Sequence, residues 1–318
     1  MQVVISFFLI LLADGVAAQL RWQNVDSAYG PLPPDFHVFK TTDSLDGNPF
    51  VAYYAIAKLK SRSLDFLADT TYKRRLTPKL FYQKTGQPLL LVNCSFFSFV
   101  THQNLNTVIS KGKLLGYNIH TVPLRGKDTF RYQHPLGSAF GISRKRSADV
   151  AWLLTDSSRK YPYALQQAVP ASTDSVNDYD LQQARAEHRL LKKWKMHVAV
   201  GGGPVLLQDG EVKITNNQEI KFSGKAIADR HPRTLIGYTK NGEVIVMVIQ
   251  GRMPGIAEGA SLLQEAQVMK ELGCHEALNL DGGGSSCMLI NGKQTIIPSS
   301  NGEQRAIPAV FIIKVADR

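Results

Sequence analysis

Residues 234–250 read TLIGYTKNGEVIVMVIQ, which is two runs of β-branched and other apolar residues on either side of Lys240-Asn241-Gly242. Asn-Gly pairs favour tight hairpin turns because both residues can adopt positive φ at low cost. The stretch therefore predicts two antiparallel strands, Thr234–Tyr238 and Val244–Gln250, joined by a short turn. Asp209-Gly210 and Asn291-Gly292 predict turns of the same kind.

Further short strands extend this antiparallel pattern on both sides of the hairpin. One helix is predicted nearby, because Ser261 and Gln264 fit a capping box, apolar residues then recur on one face, and Gly273 follows. Residues 76–83 fit a short helix or a strand. The other predicted strands are Pro49–Ala57, Pro88–Asn93, Met196–Val200, Pro204–Leu207, Ala277–Leu280, Cys287–Ile290 and Ala309–Val315.

These elements predict an α+β fold, with mostly antiparallel mixed sheets and a few packed helices in a single compact domain. Regular alternation of strand and helix, which a parallel sheet requires, is missing from the pattern. The chain has 318 residues, of which 44% are hydrophobic, so it is long enough to bury a core. The predicted domain is 49–318, after an extended lead-in, 19–48, that is rich in Pro, Gly and Asp.

The first 18 residues predict a signal peptide. An apolar run from Val3 to Leu12 is followed by Val16-Ala17-Ala18, with small side chains where a signal peptidase cleaves. The run is about half as long as a membrane-spanning helix requires. No later segment is long and apolar enough to span a membrane, so we expect an exported protein, periplasmic or secreted.

The charge balance is strongly basic, with 37 Lys and Arg against 26 Asp and Glu and a formal net charge of +11. Such a balance suggests an anionic partner. Part of the charge lies in an insertion, 156–195, where DLQQARAEHRLLKKWK (180–195) predicts an amphipathic basic helix. One interpretation is an arm that binds nucleic acid or an anionic surface. We favour a solvated helix packed by its narrow apolar stripe, and therefore expect no nucleic-acid partner.

Cysteine usage indicates little about the fold. The chain has Cys94, Cys274 and Cys287, an odd number without zinc spacing. Cys274 and Cys287 flank a glycine-rich turn, and a disulfide between them is one interpretation. Buried, inert thiols are the commoner state and are the alternative.

The sharpest candidate for a functional site is Asn279-Leu280-Asp281-Gly282-Gly283-Gly284-Ser285-Ser286. The strand before it delivers Asp281 to a loop whose glycines let backbone N–H groups surround an anion. The loop lacks the Gly-Lys-Ser/Thr of a Walker motif and the spaced glycines of a dinucleotide fingerprint. A glycine-rich turn in which Asp281 forms an Asx turn is the purely structural alternative.

Basic residues also stand at predicted strand ends. Arg233 precedes one strand and Arg252 follows another, and with His231 they fit a clamp for phosphate. Either arginine taken alone fits a surface salt bridge equally well. Two acids, Glu258 and Asp281, occur at similar positions, and carboxylates beside a phosphate clamp can break a bond next to a phosphate.

Six segments together resemble the phosphodiester glycosidase family. In chain order they are Asn93-Cys94-Ser95-Phe96-Phe97, GGGPVLLQDG (201–210), HPRTLIGYTKNG (231–242), VIQGRMPGIAEGASLLQEAQVMKELG (248–273), ALNLDGGGSSCMLING (277–292) and Arg305-Ala306-Ile307-Pro308. The resemblance runs from about residue 88 to residue 315. Cys94 and Ser95 stand where the family usually has glycines.

The resemblance implies hydrolysis of a sugar-1-phosphodiester between the anomeric carbon and oxygen, giving free sugar and a phosphomonoester. A phosphate is a weakly basic leaving group, so cations assist it more than a strong general acid does. We expect Asp281 to act as base or nucleophile, with Glu258 as the second candidate. The residues expected to bind the sugar or the phosphate are Asn93, His231, Arg233, Arg252, Gly282, Gly283, Gly284 and Ser285.

Two other functions fit parts of the sequence. A non-catalytic binder of anionic glycans or phosphate-containing polymers would use the same cations. A nuclease or phosphodiesterase would normally need a His and Asp metal cluster, and the eight histidines have no such spacing. We predict no cofactor; a Ca or Mg ion on Asn279 and Asp281 stays open, and so does the oligomeric state.

Overall fold

The computed structural model describes residues 20–124, 131–175 and 191–316. The predicted signal peptide and most of the predicted basic helix lie outside the described residues. Within the described ranges, no helix is both long and apolar enough to cross a membrane.

The hairpin at residues 234–250 forms the centre of the largest sheet. Its strands pair antiparallel with Thr234 opposite Val248 and Ile236 opposite Val246, as the turn chemistry predicts. The sheet has eight strands in the spatial order β1 (Gln23–Asn24), β2 (Phe36–Thr41), β5 (Val51–Lys58), β21 (Glu243–Gln250), β20 (Arg233–Thr239), β22 (Cys274–Asn279), β18 (Val205–Gln208) and β19 (Glu211–Val212).

Two further large sheets pack with the first. The seven-stranded sheet has the order β16 (Lys192–Lys193), β14 (Tyr163–Leu165), β13 (Ala148–Leu154), β12 (Gly137–Ile142), β17 (Val198–Gly201), β8 (Val108–Ser110) and β9 (Lys113–Gly116). The five-stranded sheet has the order β24 (Lys293–Gln294), β23 (Met288–Ile290), β7 (Leu90–Asn93), β25 (Ala309–Val315) and β6 (Leu64–Thr70).

Two small sheets complete the strand inventory of the described ranges. One contains β10 (Val122–Pro123), β11 (Arg131–His134) and β15 (Ser172–Ser175). The other contains β3 (Ser44–Leu45) and β4 (Asn48–Pro49).

The main core lies between the sheets. One face of β21, with Val246 and Val248, joins this core together with Phe140 and Phe311 from the other two sheets. The opposite face of β21, with Ile245, Met247 and Ile249, packs in a second cluster that includes Leu262, Ala266 and Met269. Burial on both faces explains why this strand reads as a continuous apolar run rather than an alternating one.

Helices are few and short. They are α1 (Pro78–Lys84), α2 (Asn216–Glu219) and α3 (Leu262–Glu271). Helix α3 starts at the predicted capping box, in which the Ser261 side chain accepts from Gln264 N and the Gln264 side chain accepts from Ser261 N. Residues 76–83, whose sequence fits either a short helix or a strand, lie mostly in helix α1. Pro78 stands at the start of this helix and Thr77 caps it.

The predicted α+β class is wrong, because the fold is mostly β. The described residues contain three α-helices against 25 strands, and every described strand pairing is antiparallel. Sheet packs on sheet to form the main core, whereas only α3 contributes several residues to the second one. The antiparallel pairing was predicted correctly, but the helices do not form a layer.

The structure also describes two segments for which no strand was predicted, the lead-in and the end of the insertion. Within the lead-in, Phe36–Thr41 is a strand of the largest sheet, and Phe36 and Val38 are fully buried in the main core. At the end of the insertion, Lys192 and Lys193 pair as a strand with β14, and Trp194 is buried against Gly141. These described residues of the insertion are not helical.

All three cysteines are free and buried. Cys274 belongs to the cluster next to α3, whereas Cys287 belongs to a different cluster near α1. Burial raises the pKa of each thiol to about 12. The structure therefore agrees with the inert-thiol interpretation and not with a disulfide between Cys274 and Cys287.

Candidate active site

Asn93 fastens the strand ends on which the glycine-rich loop is built. Its side chain is buried, and its Nδ2 donates to the carbonyl oxygen of Asp281. Its Oδ1 accepts from Thr234 Oγ1 at 2.9 Å and from Cys287 N at 3.0 Å. The amide group that was predicted to bind substrate thus makes three hydrogen bonds inside the protein.

The backbone of Asp281 is fixed at the same junction. Asp281 N donates to Cys94 O at 2.7 Å, so the loop is joined to the five-stranded sheet directly after β7. The strand β22, which precedes Asp281, belongs to the eight-stranded sheet. Asp281 therefore lies where two of the large sheets meet.

Glycines permit the backbones of neighbouring loops to touch at this junction. A β-carbon on Gly282 would lie 2.7 Å from Pro232 O. Gly259 has φ of +96°, and a β-carbon there would overlap the carbonyl group of His231. His231 also pairs with Ala260 as an isolated antiparallel bridge. The Glu258 loop and the Asp281 loop are thus both brought against the His231-Pro232 segment.

The Asp281 carboxyl is the most chemically distinctive group of the site. Burial raises its pKa to about 7, against the opposing influence of the Ser285 hydroxyl and the positive charge of Arg305. Its Oδ2 atom is buried and accepts no hydrogen bond from the described residues. A carboxyl with a pKa near neutrality exists in both protonation states at neutral pH, as acid-base chemistry requires.

Two guanidinium groups cover the glycine-rich loop. Arg252 lies over Gly283, with its Nη2 atom 3.2 Å from the position that a β-carbon would take there. Arg305 lies against Gly284 closely enough to exclude any β-carbon at that residue. Within the described ranges neither guanidinium forms an ion pair. Burial and the charges of Arg305 and Arg233 lower the pKa of Arg252, as expected where cations gather without an anion.

Arg233 is placed differently from the other two arginines. Its side chain is buried, and it donates from Nε to Ala260 O at 2.9 Å and from Nη2 to Asp229 O at 3.2 Å. Its Nε also lies 3.7 Å from Oε1 of Glu265, a fully buried residue of α3. The Arg233 side chain therefore stabilises the loop before α3, beneath the site.

The two remaining predicted groups also have defined surroundings. Burial, together with the charges of Arg233 and Arg252, lowers the pKa of His231, so its imidazole is neutral at pH 7. Glu258 is half-buried and forms an ion pair with Arg230 at 3.6 Å. Glu258 therefore forms an ion pair, whereas Asp281 forms none among the described residues and feels Arg305 only as a nearby charge.

The remaining members of the loop form a short 3-10 helix, Gly283–Ser285. Gly282 and Gly283 keep part of their surface exposed, whereas Gly284 and Ser285 are buried. Ser286 is buried too and accepts from Thr234 Oγ1 at 3.2 Å. Gly282 and Gly283 are therefore the predicted loop residues whose backbone stays accessible to a ligand.

Three residues that were not predicted as site residues belong to this region. Arg305 stood in a quoted motif, and Phe96 followed Asn93 in another, but neither was assigned a role. Lys221 packs on Gly203, and its Nζ lies 5.5 Å from the centre of the Phe96 ring. Burial lowers the pKa of Lys221, while Glu219 opposes the shift. No motif surrounds Lys221, so the sequence carried no signal for it.

No three His, Cys, Asp or Glu side chains gather as a potential metal site in the described part of the chain. Asn279, which was considered with Asp281 as a source of oxygen ligands, is fully buried and donates from Nδ2 to Gly203 O at 2.8 Å.

A partly buried carboxyl that titrates near neutrality, close to guanidinium groups that form no ion pair, is typical of an enzyme site for an anionic substrate. A family model described as phosphodiester glycosidase matches residues 89–314. The chain belongs to this family, as its motifs predicted.

Individual relatives agree with this assignment. N-acetylglucosamine-1-phosphodiester alpha-N-acetylglucosaminidase of Mus musculus is 26% identical over 104 residues, which cover 30% of this chain and 20% of the mouse protein. The matched stretch is thus about a fifth of that relative's length.

Solved structures share the fold. The catalytic domain of zebrafish N-acetylglucosamine-1-phosphodiester alpha-N-acetylglucosaminidase, autoinhibited by its pro-peptide, has a TM-score of 0.59 at 21% identity, covering 95% of this chain and 89% of that one. A hypothetical protein from Synechocystis has a TM-score of 0.60 at 15% identity, covering 94% and 68%.

The substitution Gly259→Ala tests the close contact with His231. We expect a loss of stability well above the roughly 1–2 kcal/mol that a positive φ alone costs an alanine, because the β-carbon would overlap the His231 carbonyl group. Gly255→Ala is the matched control, since Gly255 also has positive φ, +72°, but open space around it. Urea denaturation measures both, and equal losses would contradict the contact.

The substitution Glu265→Gln tests the protonation of the buried carboxyl that contacts Arg233 beneath the site. Burial raises the pKa of Glu265 to about 8, against the opposing charge of Arg233. The folded state therefore holds a proton that the unfolded state releases above about pH 4.5, and folding stability should fall as pH rises from about 5 to 8. In the variant this fall should be smaller. Urea denaturation across that range measures it, and an unchanged slope would show that Glu265 does not titrate this way.

Proposed function

We propose that this protein hydrolyses sugar-1-phosphodiesters at the bond between the anomeric carbon and the phosphate oxygen. Water adds a hydroxyl group to the sugar, and the phosphate leaves as a monoester that takes up the remaining proton. The observation that carries the proposal is the placement of Asp281, a half-buried residue whose Oδ2 atom is buried and whose pKa is near 7, beside Arg305 and next to the loop that Arg252 covers.

The arginines of the site can stabilise the negative charge that develops in this reaction. Negative charge develops on the leaving phosphate as the bond breaks, and fixed guanidinium groups stabilise it without reorganisation. Arg252 and Arg305 are suited to this task because neither forms an ion pair in the described ranges, although Arg305 is near enough to Asp281 to lower its pKa. Arg233 supports the site from beneath, through Ala260 and Asp229. The neutral His231 ring can accept or donate a single hydrogen bond.

Asp281 is the acidic group of the mechanism. In its ionised form it acts either as the base that takes a proton from water or as the nucleophile that attacks the anomeric carbon. One carboxylate suffices in either route because phosphate needs little protonation to leave, whereas ordinary glycosidases use two. Glu258 is the second candidate, although its ion pair with Arg230 makes it the less available base.

The printed name of the mouse relative makes an N-acetylglucosamine-1-phosphodiester the first substrate to test. The predicted signal peptide supports action outside the cytoplasm, in the periplasm or after secretion. A binder of anionic glycans without turnover is the second candidate function, because unpaired arginines would serve it as well. Release of free sugar distinguishes the two.

Asp281→Asn tests the central assignment. We expect hydrolysis to fall at least about 100-fold, because the amide can neither take a proton from water nor attack carbon. The assay measures free N-acetylglucosamine from a chromogenic phosphodiester, and a thermal melt confirms folding. Glu258→Gln is the matched carboxyl-to-amide control and should retain more activity. Full activity in folded Asp281→Asn would reject the assignment, and a sugar phosphate as the only product would reject cleavage of the anomeric bond.

Arg305→Gln tests the cation that lies against the loop. We expect kcat to fall about 100-fold, because positive charge beside the leaving phosphate is lost. The pKa of Asp281 should rise further, since Arg305 holds it down. The activity profile should therefore shift to higher pH. Arg62→Gln, at an exposed arginine between β5 and β6, is the control and should behave as the parent protein. An unshifted pH profile together with unchanged kcat would contradict this role.

A further inference from the structure

The most exposed large apolar side chains are not scattered over the surface. Among the described residues they are Val100, 89% exposed, Tyr72, 79%, Ile256, 64%, and Phe99, 63%. They lie on three loops, residues 71–75, 97–101 and 252–257, which we call the rim loops. Isolated exposed apolar residues are ordinary in proteins, but a group of them on neighbouring loops marks an interaction surface.

Contacts with the candidate active site bring the rim loops together. The Arg75 guanidinium lies 5.1 Å from the ring centre of Phe97 and 5.6 Å from that of Phe99. Arg305, which covers Gly284, lies 5.5 Å from the Phe99 ring centre. Loop 71–75 is held beside the segment of Arg305 by the hydrogen bond from Thr71 N to Pro308 O at 2.8 Å.

The third rim loop reaches the site through its own arginine. Arg252 begins this loop and lies over Gly283, next to the glycine that Arg305 covers. The loop then turns, with a hydrogen bond from Ala257 N to Met253 O at 2.8 Å, and Ile256 projects into solvent from this turn. The three rim loops therefore surround the mouth of one site.

The charges of the rim loops all have one sign. Their sequences, TYKRR, FSFVT and RMPGIA, contain four Lys and Arg residues and no Asp or Glu. Lys73, Arg74 and Arg252 are exposed, so cations alternate with apolar side chains on the same surface. Aromatic and aliphatic side chains mixed with cations are typical of protein surfaces that insert into the headgroup region of an anionic bilayer.

We propose that the rim loops bind an anionic lipid surface, so that the mouth of the active site opens toward the membrane. A soluble polyanion would pair with the cations but would leave Tyr72, Val100 and Ile256 in water. A bilayer satisfies both, because the headgroups meet the cations and the acyl boundary takes up the apolar side chains. This inference stands independently of the proposed reaction.

Vesicle flotation of the full chain tests the proposal. Vesicles contain phosphatidylcholine alone or an equal mixture of phosphatidylcholine and phosphatidylglycerol. We expect binding to the mixed vesicles and a loss of at least about tenfold in the triple variant Tyr72→Ser, Val100→Ser, Ile256→Ser, whose charge is unchanged. The matched control carries Val212→Ser, Leu263→Ser and Val315→Ser, at exposed apolar residues outside the rim loops, and should bind like the parent.

Each other outcome overturns the proposal. If the parent protein does not bind the mixed vesicles, the proposal is wrong. If the rim variant binds them as well as the parent does, the binding reflects only attraction between a basic protein and an anionic surface. A parallel assay, which measures hydrolysis of a soluble phosphodiester, distinguishes a third outcome in which the rim loops bind substrate. If the folded rim variant loses that hydrolysis to the same degree as vesicle binding, the rim loops bind substrate rather than lipid. Retained hydrolysis with lost vesicle binding supports the proposal.

Discussion

The side chain of Asn93 is the contact on which the site depends. One buried amide binds the Asp281 carbonyl, the Thr234 hydroxyl and the Cys287 amide, which come from three different strand ends. Loss of a hydrogen bond by a buried polar group costs about 1–3 kcal/mol, and of the three partners only Thr234 has another side chain, Ser286, within hydrogen-bond distance in the described residues. Together with the hydrogen bond from Asp281 N to Cys94 O, this side chain joins the ends of strands from two sheets at a defined place.

The electrostatics of the site follow from this junction. The strand ends bring Asp281 into a half-buried position where its charged form is disfavoured, and the side chains of Arg252 and Arg305 pack against the glycines that follow it. Arg305 partly offsets this by lowering the pKa of the carboxyl, and neither Arg305 nor Arg252 forms an ion pair within the described residues. A bound phosphodiester would supply the missing charge to the arginines. The arrangement of charges in the site is therefore complementary to an anionic ligand.

The sequence predicted the local structure well and the tertiary roles less well. The Asn241-Gly242 turn and the Ser261 capping box were correct because both depend on residues that are adjacent in the chain. The α+β class was wrong because short apolar runs do not reveal that the helices fail to form a layer. Arg233 was predicted to clamp phosphate, since a strand-end arginine looks the same whether it faces a ligand or a buried Glu265. Lys221 was missed because it reaches the site only through tertiary packing.

The strand β21 has a consequence for how the chain folds. Its two faces are equally apolar, so a shift by one residue would exchange one buried set for another, and hydrophobicity alone would not reject the error. The alignment is determined at its ends, by the Asn241-Gly242 turn and by Gln250, whose Oε1 accepts from Ile297 N at 2.9 Å. Correct registration of the central hairpin therefore relies on polar residues that contribute little to the core, and these residues protect the chain against kinetic misfolding.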